Sequence, residues 1–153
     1  FGLWCAINLP ASRDCSPLAD DRYVAACRHD HPLARKTHLS WQAYFEQDYI
    51  GLDRVSGNRT LLDRELAHLT PARPSICETR HVTTMLGMVE AGIGIAAVPA
   101  MSMPAGEHSV LRAVPLTDPV VTRTVGLIRL SGRIQSYVAA ELEKLIIEQY
   151  PSG

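Results

Sequence analysis

Hydrophobic positions along the chain alternate between runs typical of strands and stripes typical of helices. The run "RYVAACR", which follows Asp21, is rich in β-branched and aromatic residues and predicts a strand of about six residues. The next segment, "LSWQAYFEQ", places Ser40 at a helix N-cap, followed by Trp41, Tyr44 and Phe45 at helical spacing. The pattern therefore predicts a strand followed by a short helix with one aromatic face.

The middle of the chain repeats this alternation. "DYIGLD" predicts a buried strand, and Leu62, Leu66 and Leu69 then recur at helical spacing, which predicts an amphipathic helix that ends before Pro71. "PSICETR" predicts another short strand. Strands and helices that alternate in this way are typical of an α/β protein.

The segment "HVTTMLGMVEAG" predicts a helix that ends at Gly92, a residue type favoured in a left-handed C-terminal cap. The following "IGIAAVP" is apolar throughout and predicts a strand covered on both faces. The apolar face of the helix contains Val82, Met85, Leu86 and Val89.

The last part of the chain contains two strand patterns and one helix pattern. "SVLRAVPL" and "TRTVGLIRLS" predict strands separated by a turn at "TDP". A helix is predicted from about Arg133 to Gln149. Its apolar stripe contains Ile134, Tyr137, Val138, Leu142, Leu145 and Ile146.

The small residues of "MVEAGIGIAAVPA" could form a phosphate-binding loop or a close junction between a helix and a strand. A phosphate loop needs the order strand, glycine-rich turn, helix, so that the positive end of the helix dipole faces the anion. Here the helix precedes Gly92 and Gly94, so an anion would meet the negative end of the dipole. We therefore interpret both glycines as structural.

Composition limits the partners of the chain. Of 153 residues, 46% are hydrophobic, and 15 basic residues are balanced by 16 acidic ones, which gives a net charge of -1. Such a balance gives no basic field over the whole surface that could hold DNA or an anionic membrane. The four cysteines contain no C-x-x-C pair, and we expect reduced thiols in a cytoplasmic protein.

Candidates for chemistry are weak. His29 and His31 could form half of a zinc site, but no further ligand has suitable spacing, and the His-Pro step is better explained as the end of a strand. No G-x-S-x-G turn occurs, and Cys77 lies within an apolar strand pattern that favours a core position. We therefore expect no enzyme activity, no cofactor and no metal.

Four stretches resemble segments of LysR-type transcriptional regulators. They occur in the family's order and cover essentially the whole chain. The most specific is the strand followed by Asp30, His31, Pro32, Leu33 and Ala34. The stretches are "LADDRYVAACRHDHPLARK", "DYIGLDRVSGNRTLLDRELAH", "MLGMVEAGIGIAAVPA" and "VPLTDPVVTRTVGLIRLSGR".

The resemblance implies an α/β effector-binding domain with a two-lobe, periplasmic-binding-protein-like (type 2) fold and an incomplete first lobe. Residues 1–20 and 126–153 would be the remnant of effector subdomain I, and residues 21–125 would be subdomain II. The first residue is not Met and the chain begins in a strand pattern, so we expect a piece of a longer protein. DNA would be bound only by the family's N-terminal winged helix-turn-helix, which the sequence lacks.

The resemblance also implies a small-molecule effector in the cleft between the lobes and a homodimer or tetramer formed through effector domains. Effector contacts would lie in two loops that follow strands and at the end of a third strand. Arg54, Ser56 and Arg80 suggest a carboxylate, although both arginines could equally be solvated surface charges. The candidate ligand-binding residues are Arg54, Val55, Ser56, Gly57, Thr79, Arg80, His81, Val98 and Pro99.

Two other classes remain open from the sequence. A solute-binding protein or an enzyme could use the same two-lobe fold, because a fold alone does not fix function. The chain could also act mainly as a dimerisation module.

Overall fold

A computed structural model of the chain describes residues 2–5, 13–106, 109–130, 132 and 134–150, with the side chains of 2–5, 13, 14 and 130 left out. The described chain divides into two compact units. Unit 1 comprises Phe1–Asp21 with Arg123–Gly153, and unit 2 comprises Arg22–Thr122. The strand pattern at the start of the chain corresponds to the strand Gly2–Cys5. The reduced thiol expected at Cys5 concerns a side chain outside the described part.

The chain contains eight strands and four α-helices within the described residues. The helices are α1 (Trp41–Phe45), α2 (Gly57–Glu65), α3 (Val82–Glu90) and α4 (Tyr137–Gln149), and short 3-10 helices span Pro32–Arg35 and Ala100–Ser102. The strands are β1 (Gly2–Cys5), β2 (Arg13–Arg28), β3 (Leu39–Ser40), β4 (Tyr49–Leu52), β5 (Cys77–Thr79), β6 (Ile95–Pro99), β7 (Leu111–Thr117) and β8 (Thr122–Leu130). The predicted alternation of strands and helices is confirmed.

The sheet of unit 2 has the strand order β3-β7-β2-β6-β4-β5. Three neighbouring strands, β5, β4 and β6, run parallel, with Leu52 opposite Thr79 and Ile50 opposite Ala96. Because the three strands run in the same direction, their carboxyl ends lie at one edge of the sheet. We call this the carboxyl edge of unit 2.

Helix α3 packs its predicted apolar face into the core of unit 2. Met85, Leu86 and Val89 are buried, and Val82 packs against the same cluster. All five residues of β6 are buried, as the continuous apolar run predicts. Both predictions are confirmed.

Helix α1 also forms as predicted. The Ser40 hydroxyl oxygen accepts a hydrogen bond from the backbone N–H of Ala43 at 3.2 Å, which caps the helix. The rings of Trp41, Tyr44 and Phe45 lie against one another, with centroids 5.5–6.0 Å apart. Its aromatic face is therefore a packed cluster.

The glycine-rich junction is structural, as the sign of the helix dipole suggests. Gly92 has a φ of +79°, a conformation that residues with side chains rarely adopt. A Cβ on Gly94 would lie 2.6 Å from the backbone oxygen of Asp48. Gly94 thus permits a close approach of two backbone segments beside β6.

Strand β2 differs from its prediction, because it is 16 residues long and begins at Arg13. The acidic pair before "RYVAACR" suggests a loop in the sequence. In the structure both carboxylates have partners on a distant segment: Asp20 accepts a hydrogen bond from Thr124, and Asp21 pairs with Arg123. These long-range contacts allow the strand to continue through two acidic residues.

The prediction that Leu62, Leu66 and Leu69 lie on one amphipathic helix is wrong. The helix ends at Glu65, Leu66 is its C-cap, and Leu69 lies beyond it. Within the helix itself, the buried residue is Leu61. The chain turns after residue 65, with the Leu69 N–H donating to the Leu66 oxygen at 2.8 Å, so the three leucines do not form one helical face.

Unit 1 contains β1 and β8, which pair antiparallel with Leu3 opposite Leu127. Helix α4 begins at Tyr137, later than predicted, because the Ser136 hydroxyl caps it by accepting from the Ala139 N–H at 3.3 Å. Its predicted apolar stripe is largely exposed, and the buried residue of the helix is Glu143. The Glu143 carboxylate is bound by Arg129 and Gln135.

Candidate functional site

The first predicted loop follows β4 at the carboxyl edge. Arg54 and Val55 form an exposed turn, and the Val55 N–H donates to the Asp53 carboxylate at 3.3 Å. Ser56 is the N-cap of α2, yet its side chain accepts no capping hydrogen bond, and Gly57 is the first residue of the helix. The hydroxyl of Ser56 is therefore not engaged as the cap of α2.

The second predicted loop follows β5 at the same edge. Thr79 ends the strand, and its backbone oxygen accepts from the Asp53 N–H at 2.9 Å, which joins the two loops. The Arg80 guanidinium lies 3.8 Å from the Asp53 carboxylate and is mostly exposed. His81 is the N-cap of α3, and its side chain also makes no capping hydrogen bond.

The third predicted segment is the end of β6. Val98 and Pro99 are buried, and Tyr23 of β2 lies opposite Pro99. The Tyr23 hydroxyl donates to the Asn58 side-chain oxygen at 2.8 Å, which ties β2 to the first turn of α2. The sequence pattern singles out neither Tyr23 nor Asn58, because the two residues are 35 positions apart and no local signal links them.

All nine predicted residues lie at the carboxyl ends of β4, β5 and β6, in the turns that follow them or at the starts of α2 and α3. The N-termini of α2 and α3 begin at this edge, and the first N–H groups of a helix have no partner within the helix. The positive ends of two helix dipoles and the side chains of Arg54 and Arg80 therefore lie at this edge, together with the Asp53 carboxylate.

One further arginine reaches the base of this edge. The Arg59 guanidinium donates to the backbone oxygen of Leu52 at 2.8 Å and to the Asp63 carboxylate at 2.7 Å. The hydrogen bond to Asp63 is the main cause that raises the pKa of Arg59, although partial burial opposes it. Arg59, a residue of α2, therefore hydrogen-bonds to the end of β4. Arg54, in contrast, is exposed to solvent.

The other candidates for chemistry have structural roles. His31 caps a 3-10 helix, since its Nδ1 accepts from the Leu33 N–H at 3.2 Å. Cys77 packs against the core of unit 2, and Cys15, Cys27 and Cys77 are all free thiols. Among the described residues, no group of three or more His, Cys, Asp or Glu side chains could hold a metal ion. No helix in that same part of the chain is long and apolar enough to cross a membrane.

The family model of the LysR substrate binding domain matches residues 2–151. The chain belongs to this family. The relatives of this LysR domain include the uncharacterised HTH-type transcriptional regulator YbhD of Escherichia coli K12, which is 40% identical over 137 residues, or 90% of this chain and 43% of that protein. They also include the transcriptional activator protein LysR of the same strain, 32% identical over 98 residues, or 64% of this chain and 32% of that protein.

The chain spans less than half the length of these curated relatives. Solved LysR-type structures share its fold. The regulatory domain of Synechocystis PCC6803 CcmR in complex with 2-PG has a TM-score of 0.78 at 18% identity, covering 98% of this chain and 74% of that one. The effector binding domain of QuiR in complex with shikimate has a TM-score of 0.77 at 20% identity, covering 97% and 70%. The chain therefore has the α/β, periplasmic-binding-protein-like fold of LysR effector domains.

Proposed function

We propose that the chain is the effector-sensing part of a LysR-type transcription regulator and that it binds a small carboxylate at the carboxyl edge of unit 2. The observation that carries this proposal is that two helices begin at this edge with N-cap side chains, Ser56 and His81, that make no capping hydrogen bond. Free N–H groups and exposed arginines bind carboxylate oxygens well.

Within this proposal, each predicted residue has a role. Arg54 and Arg80 supply charge, and Ser56 donates its hydroxyl hydrogen to the ligand. The backbone of Val55 and Gly57 and the side chains of Thr79 and His81 surround the carboxylate. Val98 and Pro99 form an apolar floor. Units 1 and 2 correspond in this proposal to effector subdomains I and II.

The full-length regulator would work in the cytoplasm as a homodimer or tetramer and bind DNA through an N-terminal winged helix-turn-helix. The ligand would change DNA binding, and the domain would sense the ligand without transforming it. Two observations support this role. The relatives are transcriptional regulators, and the fold is shared with domains solved with 2-PG and with shikimate, which is itself a carboxylate.

Calorimetric titration of the chain with shikimate, benzoate and neutral benzamide tests the proposal. We expect heat from at least one carboxylate and none from benzamide. Arg54→Gln or Arg80→Gln should weaken that binding about 10- to 100-fold, because each removes a charged hydrogen-bond donor worth about 1.5–3 kcal/mol. Arg64→Gln, at the far end of α2, is the matched control and should bind as the wild type does. Binding that both edge variants retain in full would refute this site.

A further inference from the structure

Unit 2 contains a cavity of about 600 Å³ that none of the nine predicted ligand residues lines. Most of its lining residues come from α1, β4, α2 and the segment of residues 66–75 between α2 and β5. Its volume lies within the range of cavities that hold small organic molecules. We call it the aromatic cavity.

The inner wall of the aromatic cavity consists of buried rings. Trp41, Tyr44 and Tyr49 are each at most 8% exposed, and Phe45 packs beside them. The ring centroids of Tyr44 and Tyr49 are 5.2 Å apart, and those of Phe45 and Tyr49 are 5.5 Å apart. A wall of packed rings favours a flat aromatic molecule, which can contact ring faces and edges.

Leucines form a further part of the lining. Leu62, Leu66 and Leu69, which the sequence pattern places on one core-facing helix stripe, all line the aromatic cavity. Leu66 and Leu69 reach it because α2 ends at Glu65 and the chain then turns. The early end of the helix therefore explains why these apolar side chains surround a cavity.

The outer rim consists of exposed residues from the segment that follows α2. Ala67, Ala72 and Arg73 are exposed and line the cavity. The Tyr49 hydroxyl donates to the Arg73 backbone oxygen at 3.0 Å, which fixes this segment to β4. A ligand can therefore enter from solvent through a rim that is held in place.

The charges that line the cavity disfavour an anion. Arg59 is bound by two carboxylates, Asp63 at 2.7 Å and Glu78 at 3.4 Å, so its charge is more than balanced locally. The remaining lining arginine, Arg73, pairs with Asp48 at 3.3 Å. A carboxylate ligand would have to approach Asp63 and Glu78, whereas a neutral ligand would not meet this repulsion.

One buried hydroxyl gives the cavity a polar contact. The Tyr44 oxygen accepts from the Ala97 N–H at 2.9 Å, and both residues line the cavity. That bond uses an oxygen lone pair and leaves the hydroxyl hydrogen to be donated. Burial raises the pKa of Tyr44 far above its usual range, so the hydroxyl stays protonated. A ligand that carries a carbonyl oxygen would fit this donor.

We propose that the aromatic cavity is a second small-molecule site, which takes a neutral aromatic compound with one hydrogen-bond acceptor. The rings of α1 and β4 contact the ligand's ring, and the leucines also contact it. The Tyr44 hydroxyl donates to its acceptor. This site differs from the carboxyl edge in its residues and in the charge of its ligand.

Titration by fluorine NMR tests the second site. The probe is 4-fluoroacetophenone, which is neutral and carries a carbonyl acceptor, and 4-fluorobenzoate is its anionic counterpart of similar shape. We expect saturable shifts with 4-fluoroacetophenone. Ala67→Phe, which adds a ring at the exposed rim, should weaken its binding at least tenfold, and Ala72→Phe should do the same from another point on the rim. Ala91→Phe, exposed at the end of α3 and outside the cavity, is the control.

The two proposals fail separately in this experiment. Any binding of 4-fluorobenzoate at the carboxyl edge should be unchanged by Ala67→Phe, because residue 67 is not part of that edge. A linear, non-saturating response to 4-fluoroacetophenone would overturn the second site. So would equal affinity in the wild type and both rim variants, provided that their unfolding transitions match that of Ala91→Phe.

Discussion

The guanidinium of Arg123 holds the carboxylate of Asp21 across 102 positions of the chain, with Nε and Nη2 at 3.0 and 2.8 Å from one carboxylate oxygen. The Asp21 side chain is fully buried, and that of Arg123 is 14% exposed. Both residues belong to unit 1 and join its N-terminal and C-terminal segments. The pair therefore links two distant segments of the chain, and its contribution to stability can be measured by replacing Asp21.

Asp21→Ala should destabilise the chain by about 3–5 kcal/mol, because it removes a buried carboxylate that accepts two hydrogen bonds from the Arg123 guanidinium. Urea unfolding followed by circular dichroism measures this change. Glu65→Ala removes the exposed pair between Arg64 and Glu65, and we expect a change of less than about 1 kcal/mol there. Similar midpoints for the two variants would contradict a structural role for Asp21.

Two serines at helix N-caps should respond differently to replacement by alanine. Ser40 caps α1 through the Ala43 N–H, so Ser40→Ala should cost about 1 kcal/mol of stability. Ser56 makes no capping hydrogen bond, so Ser56→Ala should leave the unfolding free energy nearly unchanged. If Ser56 contacts the carboxylate, the same variant should lower affinity for that ligand in calorimetry. If Ser56→Ala instead loses as much stability as Ser40→Ala, the Ser56 hydroxyl stabilises the fold and the prediction is wrong.

Alanine should be tolerated at Gly87 and not at Gly94. A Cβ at Gly87, on the exposed side of α3, would meet nothing within 4 Å, and Gly87→Ala should stabilise the helix by about 1 kcal/mol. A Cβ at Gly94 would meet the Asp48 oxygen at 2.6 Å, so Gly94→Ala must displace backbone and should be destabilising. Thermal unfolding of both variants should give melting temperatures that move in opposite directions.

The stability of unit 1 should depend on pH through Glu143. The hydrogen bond from Arg129 is the main cause that lowers the pKa of Glu143 below its usual 4.5, although burial opposes it and Gln135 adds to it. A carboxyl whose pKa is lower in the folded state contributes stability that is fully present above pH 4.5 and is lost as pH falls through the lowered pKa. Glu143→Gln should therefore flatten the decline in stability below pH 4.5.

Urea unfolding at pH 5.5 and at pH 3.5 measures this difference. Arg129→Gln removes the main cause of the shift and should flatten the profile in the same way. A decline that is as steep in both variants as in the wild type would assign the acid sensitivity to other carboxyl groups.

Local pattern predicts the elements whose residues contact near neighbours in sequence. Ser40 and the rings after it predict α1, and the spacing of Met85, Leu86 and Val89 predicts the buried face of α3. Gly92 marks the end of that helix because its backbone needs a positive φ. These features depend on three to five consecutive positions, so a single sequence contains them.

Features that depend on distant contacts are not visible in the pattern. The first half of β2 looks like a loop in the sequence because Asp20 and Asp21 bind residues of β8, more than 100 positions away. The stripe of Leu62, Leu66 and Leu69 has helical spacing, yet the turn after residue 65 redirects it into a cavity. Periodicity alone cannot distinguish a core from the wall of a cavity.

The candidate site could be predicted from the sequence only in part. Its loops could be placed from the sequence because parallel strands end at a common edge, and resemblance to LysR-type regulators indicated which loops to consider. The bond between Tyr23 and Asn58, which fixes the start of α2 at this edge, has no local signature. The roles of the nine residues in ligand binding stay predictions.

Gly94 has a consequence for comparing relatives of this chain. Since any side chain there would collide with the Asp48 backbone oxygen, a homologue with alanine or a larger residue at the equivalent position must have a displaced segment before its own β4. That segment leads directly into Tyr49, whose ring and hydroxyl help to form the aromatic cavity. The residue found at this one alignment column therefore indicates which relatives can share the shape of that cavity.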